Sequence, residues 1–367
     1  GYTRMYIKKA LGIGLLIAAP QLSMAEAEIT SIEASGNGYE YSFPIVKNVP
    51  ASHAINAYLQ LKELRLSSTY KASPFENVWP KEGEPTFISR LDYSIDYNSS
   101  HLLGLNIDSV FTGAWSVQGT RRYYLDAQSG QQVYLNDIFT TKGLKELEAL
   151  SRVDQRRQVA AISETLDAMI AAIPIEPQHE HKRADALTLI KDQYTACLSR
   201  RIPTAPLQVD NFQLDNDSLI IPFGRCSYGP GAALDNSEPI YTKLQIANLT
   251  PYMSTYGHCL LLEESKNCAP SKKFATGVLY GILKSKEVTL LVSSQSEYSQ
   301  TLLISDDAVI AEFSVRNSLP DNETELFIGN TFTPSGKVKL TLTPTNNHNY
   351  LGTLEKDGNE YKISFHP

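Results

Sequence analysis

Residues 115–139 read WSVQGTRRYYLDAQSGQQVYLNDIF, and the fold class is decided here. The runs 121–126 and 131–135 flank Ser129-Gly130, a pairing that predicts a hairpin. Upstream, Phe87, Leu91, Tyr93, Ile95 and Tyr97 alternate with Arg90, Asp92, Ser94, Asp96 and Asn98, the period of a half-buried strand. Asn98-Ser99-Ser100 supplies a turn, and Leu103, Leu105 and Ile107 supply the partner strand. Short connections of this kind predict an antiparallel sheet.

Helices flank that sheet in the sequence. Ser52 is placed to cap a helix carrying Ala54, Ile55, Tyr58, Leu59 and Lys62 at three-four spacing, to about Leu66. Residues 143–173 carry an apolar stripe that includes Leu147, Val159, Ile162, Leu166 and Met169, ended by Pro174 and Pro177. A second helix holds Ala184, Leu187, Ile190, Tyr194 and Leu198 and stops before Pro203. Strands return over 207–214, 218–227 and 241–247. The expectation is an α+β domain over residues 26–257, its antiparallel sheet covered by helices on one face.

From Phe274 onward only strand periodicity remains, as in Val288-x-Leu290-x-Val292, Val338-x-Leu340-x-Leu342 and Tyr361-x-Ile363-x-Phe365. Turn residues such as Asp357-Gly358-Asn359 separate these runs. Residues 258–367 are therefore expected to form an all-β meander of about seven strands, a small barrel or a sandwich.

Lys8 and Lys9 precede an apolar run from Ala10 to Ala19, and Ser23-Met24-Ala25 has the small residues of a cleavage site. This pattern predicts a signal peptide over residues 1–25, with residues 1–4 as additions ahead of Met5. The apolar run is about half the roughly 20 residues that a membrane span needs. A periplasmic or secreted chain without a membrane anchor is expected. It would carry 30 Lys plus Arg against 40 Asp plus Glu. An acidic balance of that size disfavours nucleic acid and favours basic partners. The four cysteines show no C-x-x-C spacing, and in an exported chain they read as disulfides, with Cys197–Cys226 and Cys259–Cys268 favoured because each closes a loop between neighbouring elements.

Catalytic and metal motifs find little support. His179-Glu180-His181 places two imidazoles at i and i+2, whereas a helical zinc site needs i and i+4; a polar helix start is the simpler reading. Asp92, Asp96 and Asp108 fall on the outward side of neighbouring strands, as solvated strands commonly show. No G-x-S-x-G elbow, phosphate-binding loop or dinucleotide fingerprint occurs after residue 25, and no catalytic residue, metal or cofactor is assigned. Two segments read as contact surface: Phe111 to Ser116, where Trp115 sits among small residues ahead of a strand that includes Arg121, and Ser227 to Ala233, whose glycines and Pro230 shape a loop around Tyr228.

The pattern Asp126-x-x-Ser129-Gly130-x-x-Val133-x-Leu135-x-Asp137-Ile138-Phe139, preceded by Gly113, Tyr123 and Tyr124, resembles a domain family of extracytoplasmic proteins. That domain occurs in the lysozyme-sensing anti-sigma factor and beside the catalytic domains of some peptidoglycan deacetylases. Tyr41 to Pro44, Ile55-Asn56, the run from Ile220 to Tyr228 and that from Leu249 to Met253 continue the resemblance over residues 38–256. It implies non-catalytic binding of a lysozyme-like basic protein or of cell-envelope glycan such as peptidoglycan. The chain departs from the pattern at Ala114 and Trp115, where the family carries a second glycine and a histidine. The alternatives are an envelope hydrolase with unassigned residues and a scaffold of an envelope assembly.

Overall fold

The computed structural model describes residues 25–66, 73–174, 179–264, 267–269, 277–295, 298–305, 308–316, 326–333, 336–345 and 349–367. All but the last residue of the expected signal peptide lies outside them.

The first sheet has the order β1-β2-β3-β4-β5. It begins with a hairpin of β1 (Glu28–Gly36) and β2 (Tyr39–Lys47), which the strand periodicity did not point to. Helix α1 (Ser52–Leu64) follows, then β3 (Phe87–Asn98), β4 (Leu102–Thr112) and β5 (Ser116–Asp126). The sheet expected to be antiparallel is mixed, because β2 and β3 pair in parallel through Glu40↔Arg90 and Tyr41↔Leu91. The cause is the connection: about forty residues including α1 carry the chain back to the same end, as a parallel neighbour requires. Ser52 does not cap α1. It lies inside the helix and ties the preceding turn, its hydroxyl donating to the Val49 carbonyl at 2.7 Å and accepting from the Val49 amide at 3.1 Å.

Ile55, Tyr58, Leu59, Leu61 and Leu64 of α1 are buried against Tyr41, Phe43, Leu91, Leu105 and Leu125 of the sheet. The same core includes Leu291 and takes Val278 against it, so α1 is apolar on more than one side because sheets lie on more than one side of it. Burying side chains of this size contributes about 1.5–3 kcal/mol each.

Among the described residues, the other face of the first sheet is covered at one end. There Leu102 and Tyr124 join a second core with α2 (Leu135–Ile138), the start of α3 (Thr141–Ala171) and the three-stranded sheet β6 (Gln213–Asp215), β7 (Ser218–Gly224) and β8 (Ile240–Gln245). Tyr124 stacks on Phe212 at 4.7 Å. Helix α3 packs along α4 (His179–Ala196), and Val159, Leu166, Ile190 and Tyr194 of the pair share a core with Ile240 of β8. A π turn and the short α5 (Ile202–Thr204) end α4, and Cys197–Cys226 ties that end to the loop after β7. Two further helices, α6 (Pro230–Leu234) and α7 (Thr255–Leu262), complete this part. Cys259–Cys268 closes the second core. Disulfides fit an oxidising compartment. Among the described residues, no helix is long and apolar enough to cross a membrane.

The expected hairpin over 131–135 forms only in part. One bridge, Leu125↔Gln132, follows the turn, and the chain then enters α2. The turn itself is pinned by the buried Asp126, whose Oδ1 accepts from the Gln128 amide at 2.7 Å and the Ser129 amide at 3.1 Å, while Oδ2 accepts from the Tyr256 hydroxyl at 2.5 Å. Gly130 has φ +75, and a Cβ there would stand 2.9 Å from the Ala54 Cβ, so the turn is pressed onto α1.

The described residues between 277 and 366 form eight antiparallel strands where about seven were expected: β9 (Gly277–Leu283), β10 (Lys286–Gln295), β11 (Tyr298–Ser305), β12 (Ala308–Arg316), β13 (Leu326–Thr333), β14 (Gly336–Pro344), β15 (Tyr350–Lys356) and β16 (Asn359–His366). Two four-stranded meanders join where β9 meets β16, through Gly281↔Phe365 and Tyr280↔His366. The sheet curls into a half-barrel around Leu279, Leu290, Leu340, Leu354 and Phe365.

Gly257 opens a direct test of this packing. A Cβ there would lie 2.0 Å from the Ile138 carbonyl oxygen, which is backbone and cannot swing aside. Gly257→Ala is expected to cost about 1–3 kcal/mol in chemical unfolding. Unchanged stability would mean that α7 does not press on α2.

Candidate binding surface

The β4–β5 ladder runs from core to solvent along a single face. Leu103↔Leu125, Leu105↔Tyr123 and Ile107↔Arg121 are followed by Ser109↔Gly119 and Phe111↔Val117. The apolar members of the first three pairs are buried, whereas Phe111 is 44% and Val117 58% exposed. Trp115, in the turn beyond them, is 82% exposed. The hairpin therefore overhangs the core and ends in three uncovered apolar side chains.

Arg121 stands at the boundary. Its Nε donates to Glu63 Oε1 at 2.7 Å and Oε2 at 2.8 Å, its Nη2 lies 2.6 Å from Oε2, and its Nη1 donates to Ser109 Oγ at 3.1 Å. The Tyr123 hydroxyl also donates to Glu63 Oε1. Burial alone would lower the Arg121 pKa, but the hydrogen bonds and charge of Glu63 outweigh it and raise the value. The guanidinium sequence reasoning marked as a ligand contact is thus largely committed to a buried carboxylate of α1.

Lys62, one residue before Glu63, has its ammonium over the rings of Tyr58 at 5.6 Å and Tyr123 at 5.1 Å. Burial pushes its pKa down to about 8 against the favourable charges of Glu63 and Asp210. It helps line a polar pocket of about 390 Å³ with Arg121, Arg122, Tyr134, Gln208 and Asp210.

On the opposite face of the sheet Asp92 and Asp108 are directly paired across β3 and β4. Asp108 accepts from the Thr120 hydroxyl at 2.5 Å, Asp92 has Arg90 at 3.5 Å, and the space beside them is about 330 Å³. Asp96 lies further along the same face, beside Asn106, whose Nδ2 donates to it at 2.6 Å. Burial raises the Asp96 pKa, Arg122 opposing.

Tyr228 and Pro230 lie elsewhere, against α4. Gln193 holds the Tyr228 backbone from both sides, accepting from its amide and donating to its carbonyl at 3.1 Å. Asp235 accepts from the hydroxyls of Tyr194 at 2.9 Å and Ser227 at 2.5 Å and from the Ser237 amide at 2.9 Å. Burial would raise its pKa, but these bonds win and lower it. A firmly held loop therefore presents the Tyr228 ring, 68% exposed, and Pro230 opens α6. Beside that loop Met169, Leu187, Leu234 and Tyr241 line a groove of about 790 Å³. Met169 read as core because its spacing fits the apolar stripe of α3, and spacing does not report that the groove stays open.

Glu63 and Val117 were also missed as surface-defining residues. Nothing local marks Glu63: it is a common helix-end residue that matters only because β5 places Arg121 beside it. The first turn of α4 contains His181, and the side chains of His179 and Glu180 lie outside the described residues.

The Lys62 environment carries a pH signature. With its pKa near 8 in the folded chain against an ordinary 10.5, the unfolded chain holds the extra proton between those values, so stability from this group rises with pH across that window. Lys62→Met should therefore raise the melting temperature at pH 7, with the advantage shrinking as pH climbs through 8 towards 10.5. A difference between variant and parent that is the same at both ends would contradict the burial of the amine.

No family model and no curated protein matches the chain. Solved structures similar to it include two DUF3298 family proteins. A member of the DUF3298 family from Bacteroides fragilis is 13% identical, with 65% of this chain and 98% of that chain covered and a TM-score of 0.38. A DUF3298 family protein from Pseudomonas aeruginosa is 12% identical, with 62% and 94% covered and a TM-score of 0.32. Both of these structural neighbours are DUF3298 family proteins.

Proposed function

We propose that this chain is an exported, non-catalytic binding protein that uses the overhanging β4–β5 hairpin to hold a basic protein such as a lysozyme. The observation that carries the reading is Trp115, 82% exposed beside Phe111 and Val117 on a hairpin anchored at its base by Glu63 and Arg121. An uncovered tryptophan with apolar neighbours and a polar surround is the composition of an interface hot spot. Asp108 on the same hairpin with Asp92 beside it on β3, and the acidic balance of residues 26–367, would draw a basic partner by long-range attraction. The resemblance of residues 115–139 to the domain of the lysozyme-sensing anti-sigma factor supports the same partner. A second reading, envelope glycan, draws on the pocket beside Lys62, where tyrosine rings and amide side chains suit a sugar.

Calorimetric titration of residues 26–367 with lysozyme at low and high salt tests the first reading. Binding should weaken as salt rises. Trp115→Ala should weaken it by a further factor of about thirty, the effect of losing a hot spot of about 2 kcal/mol. Absence of binding at low salt, or equal binding by Trp115→Ala, would remove the proposal. Saturable binding of a soluble peptidoglycan fragment, lost in a Tyr134→Ala variant that keeps its melting temperature, would favour the glycan reading instead.

A further inference from the structure

Strand β5 is the last in its sheet. At its end the Val133 amide donates to the Tyr124 carbonyl at 2.7 Å and the Asp126 amide donates to the Gln131 carbonyl at 2.9 Å. The even-numbered residues of β5 therefore turn their backbone groups away from β4. By the two-residue period Gln118, Thr120 and Arg122 do the same. Among the described residues, no hydrogen bond reaches the backbone amides or carbonyls of these three. Residues 131–133 have already begun to add to this edge before the chain turns into α2.

Natural edges are usually blunted by a proline, a bulge or an inward charge. Residues 116–122 contain no proline, and their register with β4 is unbroken. Both sides of the edge offer a recess. The pocket with Lys62 and Arg122 lies along Thr120 to Tyr123, and the one with Asp92 and Asp108 lies along Gln118 to Thr120. Successive side chains of an added strand point to opposite faces, so they would enter these recesses in turn. Asp92 and Asp108 are like charges directly across a ladder, which is destabilising, and Arg90 supplies one counter-charge for the two. A lysine or arginine arriving on that face would supply the second.

We propose that the open edge of β5 receives an extended segment of a partner protein as a sixth strand, with basic side chains at alternate positions reaching past Thr120 to Asp108, the nearer carboxylate of the pair. This rests on the reading of the hairpin as the contact surface and specifies how that contact is made. Trp115 would lie at one end of the added strand.

A peptide alternating lysine with threonine over about nine residues, long enough at ~3.4 Å per residue to cover the open edge, is the probe. Two N-methylated forms, each blocking one alternate set of amides, accompany it, and binding is followed by fluorescence anisotropy. Strand addition requires that one methylated form binds at least about tenfold more weakly while the other binds like the parent, because only one set of amides faces β5. Gln118→Pro removes an outward amide without touching the ladder to β4 and should abolish peptide binding with the melting temperature kept. Should that variant fail to fold, Asp92→Asn with Asp108→Asn leaves the backbone intact and should abolish the preference for this peptide over its glutamate counterpart. Equal binding by both methylated forms, or no binding of the unmodified peptide, would overturn the proposal. So would a chain that dimerises in sedimentation and dissociates on Gln118→Pro, since a second copy would then be the occupant. Loss of lysozyme binding in Trp115→Ala together with a negative peptide result would leave the hairpin reading standing and remove strand addition alone.

Discussion

Glu63 is a buried carboxylate at the end of α1, and much of the candidate surface follows from how its charge is satisfied. Its side chain is 4% exposed, and the Arg121 guanidinium and the Tyr123 hydroxyl close on it. Burying such a charge is unfavourable unless it is paired and hydrogen-bonded, so α1 and β5 are held in one relative position. The arrangement also sets where the core ends. Inside Arg121 the ladder faces are packed; outside it Ser109, Gly119, Phe111 and Val117 have no helix above them among the described residues. Lys62 is drawn into the same junction, which is why an amine ends up over two tyrosine rings.

The segment 115–139 carries two kinds of information that separate cleanly in the structure. Its second half is architectural. Asp126 and Gly130 build the turn onto α1, Asp137 Oδ2 accepts from the Tyr134 amide at 2.8 Å, and Phe139 bridges to Met253. These contacts join residues 126–139 to residues 252–257, more than a hundred positions away, where the Ser254 hydroxyl donates to the Asp137 carbonyl at 2.6 Å. Its first half holds the exposed tryptophan and the free edge.

Periodicity in the sequence located β3, β4, α3, α4, the C-terminal meander and both disulfide partners, because each is a local pattern or a short loop. It did not give the parallel pairing of β2 with β3, which depends on where a long crossover lands. Nor did it reveal the β1–β2 hairpin, whose exposed and buried positions alternate too weakly to stand out before folding. Trp115 was legible as a bulky aromatic among small residues. Arg121 was legible as a cation in a strand, but its commitment to Glu63 was not, since the two lie 58 positions apart. The open edge of β5 could not be read at all, because being last in a sheet is a property of the assembled topology.

The central claim is that the Glu63–Arg121 pair anchors the overhanging hairpin, and a double-mutant cycle combined with amide exchange measures it most directly. Arg121→Met leaves an uncompensated buried carboxylate and is predicted to cost about 3–5 kcal/mol, with faster exchange at the amides of Ile107 to Thr112, while adding Glu63→Leu restores a large part of the loss. A single substitution that costs under about 0.5 kcal/mol and leaves hairpin exchange unchanged would contradict the account.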